Sequence, residues 1–190
     1  KGNSTECNDA VVFNVREQVW YDAGTAVGAR RSAGVFSEVF RKPVWAGNEP
    51  NTQGAYTLWQ NDTGVDQIYL TNQDAIQSYY ETNNIGWVTG GPGADQPIGP
   101  NRWIRLERVE PDFNQSGDMN LYVTGKSYAN SADDVSEPYV FSPETIKIDM
   151  REQRREMRMK FESNTVRGDY EAGQILISAD IGDERGTGNP

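Results

Sequence analysis

Apolar and polar residues alternate with a period of two along most of the chain, which is the pattern of strands with one buried face. In residues 155–162, Met157, Met159 and Phe161 fall on one side, and Glu156, Arg158, Lys160 and Glu162 on the other. Met119, Leu121 and Val123 alternate likewise, as do Ile146, Ile148 and Met150. Ile104 and Leu106 lie between Trp103, Arg105 and Glu107. Residues 175–177, Ile-Leu-Ile, form a continuous apolar run, which reads as a more deeply buried strand. The pattern predicts one core containing Met119, Leu121, Val123, Met157, Met159, Phe161, Ile175 and Ile177. No long window carries apolar residues at helical spacing. Residues 150–159 are rich in helix formers, but their apolar positions fit a strand.

Turn formers separate these runs: Asn61-Asp62-Thr63-Gly64, Gly90-Gly91-Pro92-Gly93, Gln115-Ser116-Gly117-Asp118 and Arg167-Gly168-Asp169. The expectation is an all-β chain of roughly nine to eleven strands, mostly antiparallel. Residues 1–65 read as β-hairpins. One joins 11–15 to 18–21 through a two-residue turn, Arg16-Glu17; another joins 42–46 to 55–60 through a longer polar loop. Trp20, Trp45 and Trp59 mark these hairpins, which resemble the closing part of a β-propeller. A propeller needs more blades than this, and the chain starts at Lys1 without Met, so a processed or partial chain with further hairpins upstream is expected. Residues 66–182 read as an antiparallel β-sandwich, interrupted by an exposed Gly/Pro-rich loop at 90–100. Residues 183–190 read as a flexible tail.

Composition narrows the chemistry. The 190 residues are 36% hydrophobic, with a mean hydropathy of -0.75, but 11% are aromatic, as expected of a chain that folds. Lys and Arg total 18 against 28 Asp and Glu, a net charge of -10. That balance opposes binding to DNA and to anionic membranes. No apolar run reaches the ~20 residues of a membrane span, and no signal-peptide pattern opens the chain. The absence of His removes His-dependent triads, general bases and zinc ligands. The single Cys7 has no internal disulfide partner and reads as a plain thiol. No catalytic residue, metal site or cofactor is expected.

One segment departs from the acidic background. Residues 151–160, REQRREMRMK, hold five basic and two acidic residues, +3, which leaves -13 for the rest. The segment is either a strip that docks on an acidic neighbour or a solvated strand face with cross-strand ion pairs. The second reading is preferred for Arg158 and Lys160. Arg151, Arg154 and Arg155 precede the regular alternation and are expected at or near a subunit boundary, with Asp133, Asp134 and Glu137 as acidic partners. Glu107, Glu110 and Asp112 invite a paired-carboxylate reading, with solvated strand-end acids preferred. Asp133-Asp134 and Asn61-Asp62 could offer oxygens to calcium, but no EF-hand spacing is present. Asn3, Asn61 and Asn114 begin N-x-S/T triplets, which an Asn-rich chain produces by chance. Tyr79, Tyr80, Trp87 and Trp103 form either a sugar-stacking platform or, preferred, part of core and interface packing.

Several short motifs follow one another in order along the chain. They are Tyr79-Tyr80-Glu81-Thr82, Val109–Phe113 (VEPDF) with Gly117, and Ser142-Pro143-Glu144-Thr145 followed by Ile148-Asp149-Met150-Arg151. Then come Arg154-Arg155-Glu156-Met157 with Phe161-Glu162-Ser163-Asn164, Tyr170-Glu171-Ala172-Gly173 and Gly182-Asp183-Glu184-Arg185. Together they resemble the C-terminal domain of tail nozzle, hub or packaged-DNA stabilisation proteins of short-tailed bacteriophages. The resemblance covers residues 76–182, and the hairpins of 11–60 are similar to the end of the propeller that precedes this domain there. Glu156 and Tyr170 depart from the family pattern, which more often has a small or neutral residue and a Trp. The resemblance implies a non-enzymatic virion protein in the tail, assembled with copies of itself in a hexameric ring and with other tail proteins. It implies DNA passing along the axis without specific binding, no membrane partner and no cofactor. An acidic lumen that repels phosphate suits that task. The alternatives from other classes are a carbohydrate-binding β-sandwich of a receptor-binding tail component and a glycan hydrolase.

Overall fold

A computed structural model describes residues 10–22, 31–50, 53–61, 63–69, 71–86, 88–89, 97–98, 103–128 and 130–181. Cys7, Asn3, Asp62, Trp87, most of the 90–100 loop and the 183–190 tail lie outside the described residues. The described chain is all-β, with nineteen strands and only antiparallel pairings. The count exceeds the expected nine to eleven because many strands are two to four residues long, too short to register as alternation. The chain divides into two compact units, Lys1–Gly64 and Val65–Pro190.

The first unit opens with a hairpin of β1 (Val11–Asn14) and β2 (Val19–Asp22). Its connection is four residues long, not the two-residue turn expected from Arg16-Glu17, because Asn14 pairs with Val19. Asn14 Oδ1 accepts the N–H groups of Arg16 (3.0 Å) and Glu17 (3.2 Å), and Gln18 completes the reversal at φ 56. An Asn side chain closing the turn in this way substitutes for a backbone carbonyl. Phe13 and Trp20 face each other across the hairpin at 4.7 Å.

A three-stranded sheet follows, made of β3 (Arg31–Val35), β4 (Val44–Pro50) and β5 (Tyr56–Gln60), with β4 central. The strand β3, RSAGV, has too little alternation to read in advance. Register places Ala33, Ala46 and Leu58 side by side on one face, with Val35, Val44, Tyr56 and one polar residue, Gln60. The other face carries Gly34, Trp45, Thr57 and Trp59, with the Trp45 ring lying over Gly34. A bulge between Arg31 and Ala33 brings the Arg31 guanidinium over the Trp59 ring, 5.4 Å from its centroid. Both faces are therefore largely apolar, yet Leu58 is 70% exposed and Val35 57%. All buried hydrophobic residues among those described belong to the second unit.

The second unit contains the hairpin β6 (Asp66–Tyr69) and β7 (Asn72–Ala75), then β8 (Ser78–Glu81), β9 (Val88–Thr89) and β10 (Pro97–Ile98). The longer strands follow: β11 (Ile104–Glu110), β12 (Phe113–Gln115), β13 (Met119–Lys126), β14 (Asp134–Val135), β15 (Tyr139–Phe141), β16 (Ile148–Arg154), β17 (Glu156–Ser163), β18 (Tyr170–Ala172) and β19 (Leu176–Ile181). A five-stranded sheet runs β14-β13-β17-β8, with β15 also on β13; a three-stranded sheet runs β16-β11-β19; β12 pairs with β18. Ile104, Leu106, Val109, Ile148 and Met150 from the three-stranded sheet meet Met119, Leu121, Val123, Phe141, Met157, Met159 and Phe161 from the five-stranded sheet in one core cluster.

Three pattern readings are corrected. Ile177 is 41% exposed and Leu176 52%, because β19 is the outermost strand of its sheet; Ile175 is only partly buried against the core. Ile146 is 83% exposed, because it precedes β16, whose pairing begins at Ile148. Glu162, expected on a solvated face, is buried. Elsewhere Asp66, also buried, clamps the β6–β7 hairpin to the turn before β18. Its two carboxylate oxygens accept the N–H of Arg167 at 2.8 and 2.9 Å and one takes the Gln73 amide at 2.5 Å, which holds Arg167 at φ 65.

Candidate functional site

The basic segment straddles a corner. Up to Arg154 the chain pairs with β11 in the three-stranded sheet; from Glu156 it pairs with β13 and β8 in the five-stranded sheet. One strand thus passes from one sheet to the other at Arg155, whose N–H donates to Lys126 O at 2.9 Å. The corner was legible as a change of phase. Ile148 and Met150 place the even positions inward, so Glu152 and Arg154 follow them in, whereas Met157, Met159 and Phe161 place the odd positions inward. Arg154 accordingly lies inside, with its side chain 7% exposed.

Arg154, a residue the sequence places at or near a subunit boundary, finds its partners within its own chain. Its guanidinium pairs with Glu152 and with Asp134 (3.2 Å), and Tyr139 Oη donates to Glu152 at 2.7 Å. A guanidinium so enclosed is tolerated only when its donors are satisfied. Burial, then the hydrogen bond and charge of Glu152, push the Tyr139 hydroxyl up to about 12, with Arg154 opposing. Asp134 is within reach because β14 pairs with β13 at Thr124 and Gly125, one strand from the corner. Asp133 is also held within the chain, by Arg158 at 2.9 Å and Lys126 at 4.0 Å. Arg158 further binds Glu81 at 2.6 Å, a cross-strand ion pair of the solvated-face kind. Arg155 is half-buried at the corner itself.

Lys160 pairs with Glu162 at 2.6 Å and lies over the rings of Tyr79 (4.7 Å) and Tyr122 (5.9 Å). Burial alone would raise the Glu162 carboxyl, but the hydrogen bonds from Lys160 and Gln77 outweigh it and hold the group below its ordinary value of 4.5. A carboxyl whose folded value is depressed adds stability above its unfolded value and loses it as pH falls through the folded one. Glu162→Gln should therefore flatten the fall in urea midpoint below about pH 4.5. A variant with the wild-type acid slope would show that Glu162 does not contribute to it.

Arg151 and Glu137, the remaining members of the expected contact set, are exposed and make no side-chain hydrogen bond or ion pair among the described residues. Arg151 lines an open groove of about 610 Å³ on the outer face of β11 and β16, with Arg105, Glu107, Asp149, Met150 and Gln153. A bulge opens it: Leu106 pairs with Glu152 and Arg108 with Asp149, so Met150 and Arg151 together oppose Glu107. The groove's carboxylates are taken. Glu107 bonds Arg105 at 2.7 Å, and Asp149 bonds Arg108 and Lys147, each at 2.9 Å. Lys147 and then Arg108 hold the Asp149 carboxyl below its ordinary range.

The other constellations separate. Asp112 Oδ2 accepts the Gln174 N–H at 3.0 Å and its carbonyl the Gly173 N–H at 2.6 Å, so this acid shapes the turn after β18. Among the described residues, no group of three or more His, Cys, Asp or Glu is placed to hold a metal. Tyr79 and Tyr80 are neighbours on one strand and point to opposite faces, Tyr80 stacking on Phe161. Trp103 packs edge-on against Tyr128, beyond the far end of β13. Tyr79 lies near Asn120 and Tyr128 beyond Lys126, roughly 20 Å apart along the strand. Tyr79, Tyr80 and Trp103 thus form no common platform. No helix among the described residues is long and apolar enough to cross a membrane. Comparison of the chain with protein-family models and with curated proteins gives no match.

Proposed function

We propose that the chain is a non-enzymatic structural subunit of a phage-tail ring of the nozzle or hub kind, forming part of a DNA conduit. In this reading the second unit is a β-sandwich and the first contributes hairpins to a β-propeller. The observation that carries it is the sheet β3-β4-β5. A free-standing antiparallel sheet covers one face and presents a polar one to water. This sheet is largely apolar on both faces, with Val35, Tyr56 and Leu58 exposed on one and Trp45 on the other. Such a sheet suits a layer between two others, as a propeller blade is. Apolar surface of this kind is a mark of assembly.

The second unit adds support. Two sheets share one core and exchange a strand at a corner, a device of sandwiches whose sheets pack at an angle. Its charged groups largely satisfy each other: Arg154, Arg158, Arg105, Arg108 and Lys160 all have carboxylate partners in the chain. The net charge of -10 fits a conduit past which phosphate slides without adhering.

The test is native mass and electron microscopy of the purified chain. The expected result is a closed ring whose mass is a whole multiple of 21.2 kDa, six by the resemblance. A species that stays monomeric at all accessible concentrations overturns the reading.

A further inference from the structure

We propose that the groove around Arg151 receives the Glu137 carboxylate of a second copy of this chain, head to tail. The inference rests on the ring reading and adds to it the contact that closes the ring. Copies carrying a charge of -10 repel one another, so a close approach requires local complementarity. Cations free to supply it are few: among the described residues of the second unit, only Arg151 and Arg167 have a basic side chain without a partner. In the second unit, Arg105, Arg108, Lys126, Lys147, Arg154, Arg158 and Lys160 all have acidic partners within the chain. Arg151 stands between two carboxylates, Glu107 and Asp149, each already drawn to another cation. Its planar fork is left to bind an incoming carboxylate with two parallel bonds, and the bulge leaves room for it.

Glu137 is the acid best presented for that role. Its preceding residue is fixed three ways: Ser136 N–H donates to Val123 O at 2.9 Å, Ser136 Oγ accepts Val123 N–H at 3.0 Å and donates to Glu137 O at 2.9 Å. Pro138 restricts the chain on the other side. A carboxylate held on a rigid turn loses little freedom on docking. It projects between β14 and β15, which line the edge of the five-stranded sheet, whereas Arg151 lies on the outer face of the three-stranded one. Repeated head to tail, the contact closes a ring; exchanged reciprocally between two copies it would stop at a two-fold dimer, which sedimentation would reveal.

The experiment measures self-association of the full chain by sedimentation, for wild type, Arg151→Glu, Glu137→Arg and the double swap. Each single reversal should weaken association by about ten- to a hundredfold, and the double swap should recover most of it. Glu144→Arg, another exposed acid on a turn, should leave association unchanged. Thermal unfolding should match wild type throughout, since both side chains are exposed; Arg151→Gln gives the same reading should Arg151→Glu melt early. Unchanged association of Arg151→Glu overturns the groove contact and leaves the ring reading standing. Two weakened singles without recovery in the swap overturn Glu137 as the partner. A wild-type chain that does not associate at all overturns the ring reading and this contact with it.

Discussion

Replacing Gly125 by alanine should destabilise the second unit by about 3 kcal/mol or more, the cost of forcing atoms into a packed site that can relax only by moving backbone. Gly125 continues the inward series Leu121 and Val123 on β13, at the point where the corner folds over that strand. A Cβ there would collide with the carbonyl oxygen of Glu156 and lie 2.6 Å from Cδ of Arg154 and 3.1 Å from the Glu156 carbonyl carbon. The first and last are backbone, so a rotamer change cannot make room. The Arg155 N–H to Lys126 O bond and the Asp134 pairing opposite Gly125 pin the strand on both sides. Separating β13 from the corner would open the enclosed Tyr139–Glu152–Arg154 network to water. The check is the denaturant midpoint at constant m-value. An alanine variant with the wild-type midpoint would mean that the corner stands off from β13.

What was legible in advance follows from what period-two alternation encodes. Met119, Leu121, Val123, Met157, Met159 and Phe161 are all buried, because each belongs to a strand flanked by partners and covered on one side by the core. Alternation reports which face is apolar; it does not report how many strands flank it. The run at 175–177 shows the gap. Ile-Leu-Ile would be buried in a central strand, but β19 pairs only with β11 in its sheet, and its side chains stay exposed.

The candidate site is legible as a charge anomaly, but the sequence does not show how its residues are shared between two sheets. The five basic residues of 151–160 divide by parity and by corner. Arg151 points to the outer groove, Arg154 inward, Arg158 and Lys160 to the outer face of the other sheet. The expected acidic partners Asp133 and Asp134 have the complementary charge, but the hairpin connection returning β14 onto β13 delivers them to Arg158 and Arg154 of the same chain. Sequence separation hid that return: Asp134 and Arg154 are twenty residues apart, and only the β13 register brings them together. The carboxylates near the start of the second unit were beyond reach for the same reason. Asp66 acts on a turn about a hundred residues later, which no local pattern announces.

Truncating Phe161 to alanine should cost about 3–5 kcal/mol, the range for removing a buried Phe ring. Phe161 is fully buried in the middle of β17, between Leu121 of β13 and Tyr80 of β8. Its ring centroid lies 5.1 Å from that of Phe113, 6.2 Å from Phe141 and 6.3 Å from Tyr80. These rings come from β12, β15 and β8, so one side chain joins the central pair of the five-stranded sheet to both its flanks and to the β12–β18 pair. The cavity left by alanine would be lined by aromatic rings fixed on three separate strands, which cannot all move inward together. Cavity cost grows when the surroundings fail to collapse. Phe161→Leu retains most of the volume and should lose far less, which separates cavity formation from a general intolerance of the site. A midpoint for Phe161→Ala equal to that of Phe161→Leu would show that the aromatic cluster repacks around the gap, and would remove Phe161 from its central place in the core.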